Sequence, residues 1–120
     1  MGETEEEGKP YDLEERTFLF AKAVRSFVKT LPRSPANDED SKQLIRSSGS
    51  VGANYREAND SLGKKDFLMR IKISRKEAKE SIYWLRLLDV DTDQETERND
   101  LKQEATELMK IFGAILHKSE

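Results

Sequence analysis

The feature of this sequence that most limits its fold is a repeated spacing of apolar and small residues. In four segments these residues recur at alternating steps of four and three positions. Such spacing places them along one face of an α-helix, because the helix turns by about 100° per residue. In chain order the four stripes are Leu13, Thr17, Phe20, Val24, Phe27 and Leu31; Leu44, Ser48, Val51, Tyr55, Ala58 and Leu62; Phe67, Ile71, Ser74, Ala78, Ser81, Leu85 and Leu88; and Leu101, Ala105, Leu108, Phe112 and Ile115.

Helix-breaking residues separate these stripes. Pro32 ends the first, because the residue before a proline avoids the helical conformation, and Gly63 follows the second. Short connections make neighbouring helices antiparallel, and no segment alternates apolar and polar residues as a strand does. The sequence therefore predicts an all-α protein, an antiparallel up-down-up-down four-helix bundle. The predicted N-terminal caps are Asp12 with Glu15, Asn37, and Thr92 with Glu95, for the first, second and fourth helices.

Length and composition indicate one domain and one compartment. A chain of 120 residues has room for a single core. Residues 1–10 are acidic and broken by glycine and proline, so we expect a disordered tail there, with the bundle over 11–120. Cysteine is absent, the start does not resemble a secretory signal, and no apolar run approaches membrane-spanning length. These features favour a cytoplasmic protein without membrane contact.

Charge is sorted along the chain although the net charge is only −3. The segment from Lys64 to Leu88 has eight basic and three acidic residues, whereas the segment from Asp89 to Glu107 has eight acidic and two basic residues. On the third predicted helix, six residues fall within one narrow arc opposite the core stripe, and we call them the basic row. The basic row consists of Lys65, Lys72, Lys76, Lys79, Tyr83 and Arg86.

The basic row is a candidate nucleic-acid site. Cations spaced along about 30 Å of helix can neutralise successive phosphates, and a tyrosine among them can stack on an unpaired base. The alternative is an ordinary solvated helix face, which is common for lysine-rich helices. When the helix is considered by itself, the solvated face is the favoured interpretation.

A second set of residues on the same helix lies between the core stripe and the basic row. We call it the side band, and Trp84 is its most informative member. A large aromatic residue off the core stripe packs either against a neighbouring helix or against another subunit, and the sequence leaves both open. The side band consists of Ile73, Glu77, Glu80, Trp84 and Leu87.

Two glycines lie within the second predicted helix, in the run from Arg46 to Asn54. Each glycine costs a helix about 1 kcal/mol relative to alanine, so its presence needs a reason. Close approach of a neighbouring helix is the simplest reason, and a break in the helix is the alternative.

No catalytic residues and no cofactor are expected. A serine or thiol nucleophile needs a histidine partner, and the single histidine, His117, lies close to the C-terminus. The remaining possibility is magnesium held by a cluster of acidic residues, but acids at a helix start usually interact with the helix dipole and water. The acidic residues in question are Asp89, Asp91, Asp93, Glu95, Glu97, Asp100 and Glu104.

The strings QLIRSSGSVGANYREAN and KKDFLMRIKISRKEAKESIYWLRLL resemble the bacterial four-helix bundle proteins called 23S rRNA intervening-sequence proteins. The resemblance covers Asp12 to Leu116 more weakly. The sequence departs from the usual pattern in two places, since Ala58 replaces a glycine and Lys76-Glu77 replaces Gly-Ser. The residues that match the family pattern are Gln43, Arg46, Ser50, Asn54 and Glu57 in the second helix, and Phe67, Leu68 and Glu80 in the third.

The resemblance implies a homo-oligomeric ring, usually of five copies, without enzymatic activity. It also implies kinship with the accessory proteins of diversity-generating retroelements, which bind nucleic acid and a reverse transcriptase. A ring would bury the side band together with the polar face of the second helix, formed by Arg46, Ser50, Asn54 and Glu57. We therefore expect a homo-oligomer whose partner is RNA or another nucleic acid. The alternative is a protein-interaction scaffold that never contacts nucleic acid.

Overall fold

A computed structural model of the protein describes residues 13–119. The described chain is helical throughout and contains no β-strand. The predicted acidic tail and the predicted cap Asp12 lie outside the described residues. The four long helices are α1 (Leu13–Val28), α2 (Pro35–Asn59), α3 (Lys64–Leu87) and α4 (Glu95–Lys118), and a short 3₁₀ helix (Thr92–Gln94) precedes α4.

Each helix packs antiparallel against its neighbours in the chain, and α1 also packs against α4. The pairing is visible in α2 and α3, where Ser47 Oγ lies 2.9 Å from Ser81 Oγ and Ser74 Oγ donates to the Val51 carbonyl at 2.9 Å. From the first contact to the second, the residue number rises in α2 and falls in α3, as it must when two helices run antiparallel. The backbones of the diagonal pairs, α1 with α3 and α2 with α4, lie farther apart in the described chain, and Tyr55 of α2 meets Phe112 of α4 through the core with ring centroids 5.8 Å apart. The arrangement is the predicted four-helix bundle.

The predicted core stripes are largely confirmed. Every residue of the first stripe is buried, and so are most residues of the other three. Leu62 is an exception: α2 ends at Asn59, so this leucine lies in the turn and is fully exposed. Phe67 and Ile115 are only partly buried, and Leu116, which the stripe omitted, is buried.

Two predicted helix caps are wrong by a few residues. Asn37 is not the cap of α2, because Ser34 precedes the helix and its side chain accepts from the Asn37 backbone N–H at 3.0 Å. Pro35 then occupies the first helical turn, where a missing N–H costs nothing. Thr92 and Glu95 do not form a capping box either; Asp91 and Gln94 form one at the start of the 3₁₀ helix.

Small residues set the separation of helices around α2. The helix continues through Gly49 and Gly52 without a break. A Cβ atom at Gly52 would lie 2.8 Å from Thr17 Oγ1 of α1, closer than real contacts allow. The predicted close approach is therefore confirmed at Gly52. At Gly49 a Cβ would lie 3.5 Å from the Arg25 side chain, which is an ordinary contact distance.

No helix of the described chain combines the length and the apolar character needed to cross a membrane.

Candidate nucleic-acid interface

All six members of the basic row are exposed on the outer face of α3. The helix is unbroken from Lys64 to Leu87, so its regular turn keeps them in one arc along about 30 Å. No salt bridge between described residues involves any of the five cations of the row. Their charges are therefore available to a ligand in solution, which is the arrangement that phosphate recognition requires.

Tyr83 is held in place by its neighbour in sequence. Its ring meets the Trp84 ring edge-on, with centroids 5.0 Å apart and an angle of 76° between the planes. Tyr83 is nevertheless exposed, whereas Trp84 is partly buried. The tyrosine ring thus contacts Trp84 and is still exposed within the basic row, as a residue that stacks on an unpaired base would be.

The side band makes polar contacts within the subunit. Arg46 of α2 forms salt bridges to Glu80 and, at 3.4 Å, to the buried Glu77. Glu80 also accepts a hydrogen bond from Trp84 Nε1 at 3.0 Å. This bond lies within α3, and Trp84 is only partly buried against the core. Both interpretations of its position, packing against a neighbouring helix and burial by a second subunit, therefore stay open.

The contacts among Arg46, Glu80 and Trp84 shift the pKa values of the two charged groups. The hydrogen bond from Trp84 is the largest cause that lowers the pKa of Glu80, and Arg46 lowers it further. Burial is the largest single influence on Arg46 and lowers its pKa, but hydrogen bonds and charges of Glu80 and Glu77 outweigh it and raise that pKa. The Glu80 carboxylate is consequently charged at neutral pH and fixes Arg46 across the two helices.

The polar face of α2 continues this network towards the other end of the bundle. Asn54 Nδ2 donates to Ser50 Oγ at 2.9 Å, and Asn54 Oδ1 accepts from Arg70 Nη1 of α3 at 3.0 Å. Glu57 is exposed beyond them. The structure thus brings the predicted residues of α2 and the side band together on one side of the bundle, the α2–α3 side.

Apolar side chains remain uncovered on that side. Leu87 is 46% exposed and Ile73 is half-buried. Met69, which the sequence interpretation omitted, is 48% exposed on the same edge of α3. Five full turns separate Met69 from Leu87, so these two side chains point in the same direction. We call Met69, Ile73 and Leu87 the α3 strip.

The opposite side of the bundle has a groove that the sequence interpretation missed. The α1–α4 groove has a volume of about 550 Å³ and an apolar floor. Leu19 lines it and is 53% exposed. The apolar pair Phe18-Leu19, which lies outside the core stripe, was the signal in the sequence that could have indicated such a surface. The residues that line the groove are Glu15, Arg16, Leu19, Phe20, Ala23, Glu97, Asp100, Leu101 and Glu104.

The predicted acidic cluster does not come together as one site. Asp91 caps the 3₁₀ helix, whereas Glu97, Asp100 and Glu104 line the α1–α4 groove. In residues 13–119 no group of three or more acidic, histidine or cysteine side chains is arranged to hold a metal ion. Glu104 instead binds Arg16 at 2.7 Å, and this hydrogen bond is the main cause that raises the pKa of Arg16.

Comparisons with known proteins agree with the fold and with the sequence pattern. Residues 10–114 match the family described as 23S rRNA-intervening sequence protein. A crystal structure of a protein with unknown function from the S23 ribosomal protein family of Bacteroides thetaiotaomicron is similar, with a TM-score of 0.71 and 30% sequence identity. The match covers 86% of this chain and 96% of that one. No curated protein matches the chain.

Proposed function

This chain belongs to the 23S rRNA-intervening sequence protein family, and from that premise we propose that it is a non-enzymatic homo-oligomer that binds RNA or another nucleic acid through the basic row. The observation that carries the proposal is the exposure of the whole row on one face of α3, without salt bridges to other described residues. Binding of this kind is mainly electrostatic and reads sequence weakly.

The proposed assembly is a ring of five copies, as the family resemblance implies. Its contacts use the α2–α3 side, where Arg46, Ser50, Asn54 and Glu57 lie beside the side band, and where the apolar side chains of Ile73, Trp84 and Leu87 remain partly uncovered. Repetition around a ring would multiply the basic row into a larger positive surface. A reverse transcriptase is a further proposed partner, by kinship with the accessory proteins of diversity-generating retroelements.

Charge reversal tests nucleic-acid binding. We expect the triple variant Lys72→Glu, Lys76→Glu, Lys79→Glu to bind a stem-loop RNA about 100-fold more weakly at low salt, because at least three phosphate contacts are lost. The slope of log affinity against log salt should fall by about three. Fluorescence anisotropy of a labelled stem-loop measures both quantities.

A matched control separates the basic row from total charge. The triple variant Lys22→Glu, Lys29→Glu, Lys42→Glu changes the net charge by the same amount at exposed positions on α1, in the turn after α1 and on α2. It should retain most of the RNA affinity. Equal losses in both variants would mean that only total charge matters, and unchanged binding by the first variant would remove the proposal.

The acidic character of the chain favours a second candidate function, a protein-interaction scaffold. The net charge is −3 and the α1–α4 groove is lined by four carboxylates, which would repel phosphate. Purification from cells with and without nuclease distinguishes the two functions. The same protein partner after nuclease treatment supports the scaffold, whereas co-purified nucleic acid that is lost from the Lys72, Lys76 and Lys79 variant supports RNA binding.

A further inference from the structure

The α1–α4 groove has an apolar floor and an acidic rim. It follows α1 from Glu15 to Ala23, about 12 Å at the helical rise, so it accommodates about two turns of a helix. Its floor contains Leu19, Phe20, Ala23 and Leu101. An exposed apolar surface with a charged rim is typical of a site that another protein covers.

The rim carries an excess of negative charge. The groove is lined by one cation, the guanidinium of Arg16, and by four carboxylates, those of Glu15, Glu97, Asp100 and Glu104. Glu104 is paired with Arg16, but Glu15, Glu97 and Asp100 have no salt-bridge partner among residues 13–119. A ligand for this groove should therefore be apolar at its centre and basic at its edges.

The α3 strip has the complementary composition. Met69 and Ile73 occupy one turn of α3, and Met69 is 48% exposed. Three lysines of the basic row, Lys65, Lys72 and Lys76, border this turn, and none forms a salt bridge with another described residue. The strip thus offers apolar side chains bordered by unpaired cations.

The two surfaces cannot meet within one subunit, since the groove lies between α1 and α4 and the α3 strip lies on the α2–α3 side of the bundle. We propose that the α1–α4 groove is a docking site for a second copy of this chain, which enters with the Met69 end of its α3 strip. The proposal rests on the homo-oligomer in the proposed function and names its two contact surfaces. Because these surfaces differ, the contact is heterologous: each copy offers one groove and one strip, as closed rings require.

Two variants disable one surface each. Leu19→Lys places a cation on the floor of the groove, where it opposes the lysines of the incoming strip. Met69→Asp places a carboxylate on the strip, where it opposes the acidic rim. Each variant should lower the native mass from the oligomer to a single chain at micromolar concentration, measured by light scattering.

Mixing the two variants gives the sharper result. The Met69→Asp copy keeps an intact groove and the Leu19→Lys copy keeps an intact strip, so these two surfaces can dock in an equimolar mixture. The reverse contact brings the introduced carboxylate and ammonium groups together, and their opposite charges attract, so the mixture should regain the mass of a dimer or a larger oligomer. Phe18→Lys is the matched control, because Phe18 is 55% exposed next to Leu19 but does not line the groove. This control should keep the mass of the unmodified protein.

Each other outcome overturns the proposal. An unchanged mass for Leu19→Lys, or no gain in mass when the two variants are mixed, would show that the groove is not the contact surface while the homo-oligomer stands. A monomeric unmodified protein would remove the homo-oligomer itself. Because Lys72 and Lys76 border the strip as well as belonging to the basic row, the double variant Lys79→Glu, Arg86→Glu, which lies away from the Met69 end, tests RNA binding without altering the docking surface. Should Leu19→Lys lose helical circular dichroism, Asp100→Lys on the exposed rim gives the same readout.

Discussion

Gly49 and Gly52 lie three residues apart in α2 but have different surroundings. Gly52 is buried against Thr17, whose hydroxyl donates to the carbonyls of Leu13 and Glu14 at 2.9 and 3.0 Å. Thr17 cannot turn away from an added methyl group without giving up those hydrogen bonds. Gly49 faces the end of the flexible Arg25 side chain, which can move aside.

Alanine substitution should therefore have opposite effects at the two glycines. We expect Gly52→Ala to lower the free energy of unfolding by about 1 to 3 kcal/mol, because overpacking against Thr17 exceeds the gain in helix propensity. Gly49→Ala should raise the free energy of unfolding by up to about 1 kcal/mol, through propensity alone. Urea unfolding followed by circular dichroism measures both values. A stabilised Gly52→Ala variant would mean that α1 and α2 do not approach each other this closely.

At this scale the sequence predicts burial better than it predicts partners. The stripe spacing identified Val24, Val51 and Ala105 as core residues because helical periodicity alone determines which face is buried. It could not predict that Arg46 of α2 pairs with Glu80 and Glu77 of α3, since that contact depends on how the two helices are set against each other. Leu62 was assigned wrongly because the spacing continued for one step beyond the end of α2.

The helices are joined at one end of the bundle by two side-chain amides, one in the first turn of α2 and one in the 3₁₀ helix. Asn37 Nδ2 donates to the carbonyls of Pro32 and Asp89, each at 2.9 Å, and its Oδ1 accepts from the Asp89 N–H at 2.9 Å. Gln94 donates to the Thr30 carbonyl at 2.6 Å. Asn37 thus ties the start of α2 to the end of α3, and Gln94 ties the start of α4 to the end of α1.

Removal of the Asn37 side chain should loosen this end of the bundle. We expect Asn37→Ala to lower the free energy of unfolding by about 2 to 4 kcal/mol, because three backbone groups lose their partner at once. Asn99→Ala is the control, since Asn99 is exposed on α4, and it should change stability by less than about 0.5 kcal/mol. Urea unfolding checks both. Similar small effects in the two variants would show that water replaces the Asn37 hydrogen bonds.

At the scale of elements the helices could be predicted and the connections only in part. Pro32 and Gly63 mark the first two breaks, since both residues act on the local backbone. The 3₁₀ helix and the role of Asn37 were missed because they depend on contacts across the bundle. An asparagine near a helix start is typical of an N-terminal cap. Here Asn37 instead binds the backbone of Asp89, a contact that depends on where the end of α3 lies in the folded bundle.

The whole molecule separates its charges onto two sides. The basic row lies on the outer face of α3, and the four carboxylates of the α1–α4 groove lie on the other side of the bundle. The basic row could be predicted because helical geometry fixes the direction of each side chain. The groove could not, because its width depends on how far α1 and α4 are held apart, a property of the packed bundle.

Assembly and nucleic-acid binding should be coupled if both proposals hold. A copy that cannot dock offers one basic row to an RNA, whereas an oligomer offers several at fixed separations, and linked sites raise affinity by about 100-fold or more. We therefore expect Leu19→Lys to bind a long structured RNA about 100-fold more weakly than Phe18→Lys at equal subunit concentration. Anisotropy titrations of the two variants measure this ratio.

The comparison is informative because the two variants carry the same added charge at adjacent positions with similar exposure. A general attraction of lysine for phosphate therefore cancels, and only assembly differs. A short stem-loop that spans one basic row should bind both variants equally, because a second row has nothing to contact. Equal affinities for the long RNA as well would mean that each copy acts alone, and the ring would then need a role other than presenting the basic rows together.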